Sequence, residues 1–108
     1  MIDTDKLVID LTLARKAALE AVVSRRDGGT CCLDHPVIKV PAAPEVLQAI
    51  RAAGFEPGAA YGIYAGYVSL DRFPGSLAQG SLRTVGARAV ADFLVARGWT
   101  AAVFSQMD

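Results

Sequence analysis

The densest run of hydrogen-bonding side chains is Phe73-Pro-Gly-Ser-Leu-Ala-Gln-Gly-Ser-Leu-Arg-Thr84, just ahead of a long apolar-periodic segment. Within it, Gln79, Gly80, Ser81, Arg83 and Thr84 have the chemistry of an anion site at a helix start. The unpaired N–H groups of a first helical turn, together with the helix dipole, favour negative charge there. Gly80 would permit close backbone approach, and Arg83 could hold an oxyanion through two parallel N–H bonds. The run is not a Walker loop, which ends in Gly-Lys-Ser/Thr. A cap explains Ser81 equally well, since a helix needs one with or without a ligand. The two readings are an anion site, or a capped helix with a solvated Arg83.

A second cluster is Thr30-Cys31-Cys32-Leu33-Asp34-His35. A thiol near an imidazole and a carboxylate has the composition of a nucleophilic site. Neighbouring strand residues face opposite sides, so Cys31 and Cys32 cannot both serve one site. His35 is the only histidine, and it stands four residues from Cys31. That is too far along a strand for direct contact. Burial as small core residues is the simpler role for the cysteines, and His35 reads as a loop residue before Pro36. A disulfide between adjacent cysteines is strained. Metal-binding cysteines are usually spaced by two or more residues. Neither a metal nor a cofactor is expected.

Tyr61, Tyr64, Tyr67 and Phe73 could stack bases, but such surfaces come with basic neighbours. Between Arg51 and Arg83 only Arg72 is basic, so core and edge packing is the favoured role. Arg15-Lys16 and Arg25-Arg26 make at most a modest basic patch on one helix. Eleven basic and eleven acidic residues give a formal charge of zero. A neutral chain lacks the basic surface that supplies most nucleic-acid affinity, so nucleic acid is not the expected partner.

The elements that must position these residues follow from periodicity. Leu7, Leu11, Ala14, Ala18 and Val22 recur at three- and four-residue steps and predict a helix over 4–25. Lys6, Asp10, Lys16, Glu20 and Ser24 are expected on its opposite face. Asp3 or Thr4 would cap it, and Asp27-Gly28-Gly29 would end it. Residues 30–40 read as a strand, with Pro36 as a break or bend. Pro44 and Glu45 suit a helix start, which predicts a helix over 44–53 closed by Gly54. Pro57-Gly58 signals a turn. Residues 59–70 predict a hairpin turning near Ala65-Gly66, or one strand bent at a glycine. A third helix is expected over 81–97, with Leu82, Gly86, Ala89, Val90 and Phe93 inward and Gly98 as its stop. Gly86 on that face implies close approach of another backbone. A final strand covers 100–105. The expected fold class is α+β: one domain of 108 residues, with three helices on a small, mainly antiparallel or mixed sheet.

The chain is 53% apolar and 20% charged, which indicates a folded globular protein. Reduced, adjacent cysteines suggest the cytoplasm. No run has the length or flanks of a membrane span or a secretory leader.

Three segments resemble a group of small uncharacterised proteins of phages, prophages and other bacterial mobile elements. They are Gly29-Thr-Cys-Cys-Leu-Asp34, Gln79-Gly-Ser-Leu-Arg-Thr84 and the terminal Ser105-Gln-Met-Asp108. That group carries Gly-Thr-Cys-Asn-Phe-Asp-like and Gly-Gln-Gly-Asn-x-Arg-Thr-like segments and ends in Tyr-Gln-Met-Asp. Here Cys32 and Leu33 replace Asn and Phe, Ser81 replaces Asn, and Ser105 replaces Tyr. The resemblance implies a setting and not a mechanism. It also implies that Thr30, Cys31, Asp34, Gln79, Gly80, Arg83, Gln106 and Asp108 form one cluster. Asp34 or Asp108 would then pair with Arg83, as a ligand site or as a polar latch between elements.

No complete catalytic constellation is visible. The leading expectation is a non-enzymatic cytoplasmic protein that works through a protein partner. The alternatives are a module for a small anion (phosphate or nucleotide) at 79–84, and a thiol-dependent enzyme using Cys31 and His35. Self-association is left open.

Overall fold

Asp3 starts the first element by accepting the Lys6 backbone N–H at 3.0 Å. The helix it caps, α1, runs Thr4–Val23. A computed structural model describes residues 2–24, 34–60, 62–76 and 81–104, and of Ser81 only the backbone. The elements after α1 are β1 (His35–Ile38), α2 (Pro44–Ala52), β2 (Glu56–Ala59), a 3-10 turn (Gly62–Tyr64), β3 (Val68–Asp71), α3 (Ser81–Ala96) and β4 (Ala101–Phe104). The sheet order is β2-β3-β1-β4 and every pairing is antiparallel. This is the expected α+β class and element order. The proposed stop of α1 at Asp27-Gly28-Gly29 lies outside the described residues.

α1 packs on α3 and α2, while α3 lies on β1 and β4. Leu7, Leu11, Ala14 and Ala18 are fully buried and meet Ile38, Val40, Val68 and Leu70 of the sheet side in one core. α2 begins with Pro44 at its first turn, where a missing N–H costs nothing. Gly54 and Gly98 take positive φ and stop α2 and α3 as expected.

Five local readings are corrected. His35 is not a loop residue but opens β1, paired with Phe104 of β4. Pro36 does not break that strand. The β1–β3 register stops at Val37–Ser69, so the residue without an N–H stands just past the end of that ladder. Pro57-Gly58 is not a turn but the middle of β2, an edge strand, where proline is tolerated. The hairpin exists and a tight turn does stand at Ala65-Gly66, where the Tyr67 N–H donates to the Tyr64 carbonyl at 2.9 Å and Gly66 has φ of 91°, but its strands are Glu56–Ala59 and Val68–Asp71 rather than halves of 59–70, and a 3-10 turn lengthens the connection. Finally, the inward face of α3 centres on Ala87, Val90, Ala91 and Leu94, while Leu82, Ala89 and Phe93 are only half-buried.

The close backbone approach expected at Gly86 is present. A Cβ there would lie 1.8 Å from the Pro74 carbonyl oxygen. The contact is mutual: a Cβ on Gly75 would lie 2.6 Å from the Leu82 carbonyl oxygen. Two glycines thus let residues 73–76 lie directly on the first turns of α3. Val22 of α1 closes in from the other side, 3.3 Å from both Cβ positions.

Candidate functional site

The 73–76 segment determines what Arg83 can do. Arg83 Nη1 donates to the Ser76 carbonyl, and its guanidinium stands 5.2 Å from the centre of the Phe73 ring. Phe73 is itself in the core. Arg83 is therefore half-buried and turned back onto its own incoming loop, rather than out to solvent. Its Nε has no partner among the described residues.

One turn further on, Thr84 Oγ1 donates to Asp34 Oδ2 at 2.7 Å. Asp34 is 5% exposed, and its Oδ1 has no partner among the described residues. Two of the three expected segments therefore meet, but through Thr84 and not Arg83. β4 runs beside β1 so that Phe104 pairs with His35, the residue next to Asp34. Gln79, Gly80, Thr30, Cys31, Cys32, Gln106 and Asp108 lie outside the described residues, as does the side chain of Ser81. The carboxylate at this corner is a negative charge already held near the start of α3.

His35 stacks on Phe104 with ring centres 5.1 Å apart. Tyr64 meets Phe104 edge-on at 5.9 Å and Tyr67 at 5.3 Å. By strand alternation His35 and Phe104 share the sheet face of Val37 and Ser69, opposite the face on which Ile38 and Val68 enter the core with the helices. Phe73 sits in the core on the helix side, in keeping with the favoured packing role and not with a base-stacking surface shared with Tyr64 and Tyr67. Tyr61 is outside the described residues.

Sequence reasoning missed two features, both on α1. The first is Asp10, expected on the solvent face but fully buried. Its Oδ1 accepts from Arg97 Nε at 2.9 Å, and its Oδ2 from Lys6 Nζ and Trp99 Nε1, each at 2.8 Å. Lys6 also donates to the Arg97 carbonyl at 3.0 Å and lies 4.7 Å from the Trp99 ring centre. Burial pushes the Asp10 carboxyl up, but the Lys6, Trp99 and Arg97 donors outweigh it and hold the group below the usual carboxylate range. This network ties α1 to the α3–β4 connection. Both carboxylate oxygens are satisfied, so it is a structural clasp and not a reactive group. The signal was present: Asp10 follows Leu7 by three residues and precedes Ala14 by four, which is inward-face spacing.

The second is the outer face of α1. Ile9, Leu13, Leu19 and Val23 are exposed at 55%, 40%, 50% and 73%. They share that face with Thr12, Lys16 and Glu20, all exposed. Ile9 with Leu13 and Leu19 with Val23 are neighbours at four-residue spacing on that face, two exposed apolar pairs on either side of Lys16.

An apolar cavity of about 400 Å³ lies between the α2 side and the β2–β3 hairpin, lined by Ala42, Leu47, Pro57, Ala59, Tyr67 and Val68 among others. Among the described residues no charged side chain lines it, and its described lining lacks the convergent polar groups that orient a small ligand. Among the described residues no group of three or more His, Cys, Asp or Glu side chains is placed to hold a metal ion. No described helix is long and apolar enough to cross a membrane. Compared with protein-family models, curated proteins and solved structures, the chain matches none.

Proposed function

We propose that the protein works by binding another protein through the outer face of α1, with no chemistry of its own. The observation that carries this reading is the exposed band Ile9, Leu13, Leu19 and Val23. Removing apolar surface from water drives most protein association, at about 25 cal/mol per Å² before the costs of docking. The phage or mobile-element setting and the cytoplasmic location belong to the same reading and rest on the sequence resemblance and the reduced cysteines.

The anion reading at 79–84 has less support. The Asp34 carboxylate stands against Thr84, and the Arg83 guanidinium is engaged with Ser76 and Phe73. A bound anion would meet a like charge there. The thiol reading requires His35 as a base, yet that ring is stacked on Phe104 within the sheet.

The test is capture by the tagged chain in its native host, comparing the parent with Leu13→Glu and Val23→Glu. The expected result is a partner retained by the parent and lost by both variants at unchanged thermal midpoints. Equal retention by parent and variants would remove α1 as the binding face.

A further inference from the structure

We infer that the outer edge of β2 takes an extended peptide segment of another protein, added antiparallel as a fifth strand. An apolar side chain of that segment fills the cavity beside β2, and a basic residue follows three positions later. The site is separate from the outer face of α1 and does not depend on it.

β2 stands at one end of the sheet. The Ala60 N–H donates to the Tyr67 carbonyl at 3.4 Å, and the register sets Gly58 opposite Ser69 and Glu56 opposite Asp71. Residues 56, 58 and 60 therefore turn their backbone groups toward β3, and Pro57 and Ala59 turn theirs outward. The outward groups are the Ala59 N–H, the Ala59 carbonyl and the Pro57 carbonyl. Among the described residues no backbone group takes them. An apolar face accepts any apolar partner, but a row of main-chain donors and acceptors calls for another extended backbone. An incoming residue opposite Ala59 exchanges two bonds with it, and the residue two further on donates to the Pro57 carbonyl. Pro57 has no N–H to give back, so only Ala59 forms a complete two-bond pair, and that fixes the register.

The cavity supplies the side-chain pocket. Pro57, Gly58, Ala59 and Ala60 all line it, so it runs along the strand rather than over one face, with Ala42 and Leu47 opposite. Directly opposed residues of an antiparallel pair share a face. Ala59 lies opposite Val68, a core residue, so the incoming residue opposite Ala59 projects to the helix side. There it enters the space of about 400 Å³ beside Ala42 and Leu47. Alanine, glycine and proline leave that space open, which suits a side chain the size of leucine or phenylalanine. The convergent polar groups missing for a small ligand are supplied, for a peptide, by the strand edge.

Charge sets the remaining preference. Glu56 stands directly opposite Asp71, two carboxylates on one face. The ion pair of Glu56 with Arg51 Nε is long, at 3.9 Å, between half-exposed side chains. The incoming residue opposite Glu56 is the third after the apolar one. Lysine or arginine there lies beside two carboxylates, whereas an acid there would be a third like charge.

The probe is the peptide Thr-Val-Leu-Thr-Val-Lys-Thr-amide, labelled with fluorescein at its N-terminus and read by fluorescence polarisation on the full chain. Saturable binding below about 1 mM is expected. Leucine to alanine in the peptide should weaken it at least about tenfold, and lysine to glutamate at least about threefold. Methylating the backbone nitrogen of the leucine removes its donor to Ala59 and should abolish binding. In the protein, Ala42→Trp fills the cavity from an exposed position and should abolish binding. Ala59→Pro removes the outward N–H without breaking a β2–β3 bond, and should weaken binding at least about tenfold. Leu13→Glu should leave binding unchanged, so failure of this site and failure of the α1 reading are told apart. Amide nitrogen–proton correlation spectra of the parent locate the site without a variant: the Ala59 signal should move as peptide is added. No saturable binding up to about 2 mM overturns the proposal. So does equal binding by the N-methylated peptide or by Ala42→Trp, or a titration that leaves Ala59 unmoved. A parent that dimerises, and loses the dimer in Ala42→Trp, puts a second copy in the groove and overturns the peptide as well.

Discussion

Replacing Asp10 with alanine removes the one acceptor shared by Lys6, Arg97 and Trp99. The cost can be built from the three donors. The Lys6 and Arg97 side chains are 46% and 48% exposed, so both regain water when the carboxylate goes. Each such pair contributes about 0.5–1 kcal/mol. Trp99 is half-buried and loses a bond to a charged acceptor, about 1.5–2 kcal/mol. Relief from burying a carboxylate offsets part of the sum, and a small cavity adds to it. The net expectation is a loss of about 2–4 kcal/mol, roughly 10–20 °C in midpoint for a domain of this size. Asp10→Asn should cost less, about 1–2 kcal/mol. Its amide oxygen can keep Lys6 and Trp99, while its NH2 faces Arg97, which can swing into water.

Urea unfolding measures this, read as a shift in midpoint at constant slope. The pH dependence is a second and independent readout. The folded carboxyl is held below its ordinary value of 3.8, so the unfolded chain takes up the proton first as pH falls. The contribution of the Asp10 charge is therefore fully present above pH 3.8 and is lost as pH drops through the folded value. The gap between parent and Asp10→Asn should stay constant from neutrality to about pH 4 and close below it. An Asp10→Ala variant within about 0.5 kcal/mol of the parent, at equal slope, would refute the clasp. So would a gap that widens in acid.

Three further outcomes follow from local geometry. Gly86→Ala normally stabilises a helix by about 1 kcal/mol, but here the new methyl would overlap the Pro74 carbonyl. A loss of about 2–4 kcal/mol by calorimetry is expected, and any gain would contradict the close approach. Thr84→Val keeps shape but leaves the buried Asp34 carboxylate without its described donor, at a cost of about 1–3 kcal/mol in urea unfolding. An unchanged midpoint would mean that Asp34 does not depend on that hydroxyl. Arg72 has φ of 61°, in the left-handed region that asparagine and glycine tolerate better. Arg72→Asn should leave stability equal or raised by up to about 1 kcal/mol, while Arg72→Val should lower it by about 1–2 kcal/mol on a thermal melt.

What could be read from the sequence divides along physical lines. Helix starts were legible because caps are local: Asp3 before α1 and Pro44 at the head of α2 act within their own first turns. Gly86 was legible as a close approach because a glycine on an inward helix face has few other roles. Its partner, the Pro74 carbonyl, was not, since nothing local connects 74 to 86. The sheet order was equally hidden. β4 joins β1 rather than its chain neighbours, and that choice is made by burial of the α3 face over both strands.

The candidate site shows the same division. The segments 30–34 and 79–84 were singled out from composition, and Asp34 does meet Thr84. Arg83 was the expected hinge of that corner, but it closes its own loop through Ser76 and Phe73. Guanidinium chemistry is visible in a sequence; which carbonyl lies nearest is not. Asp10 is the sharper case. By residue type it belongs in water, and only the convergence of Lys6, Arg97 and Trp99, with 91 positions between Lys6 and the Arg97 carbonyl it also binds, makes burial tolerable. The sequence by itself determined the element types, the α+β class and the local stops, because those depend on contacts a few residues apart. The tertiary structure alone decided which carboxylate is buried, where Arg83 points and which face of α1 is left uncovered, because each depends on groups brought together from distant parts of the chain.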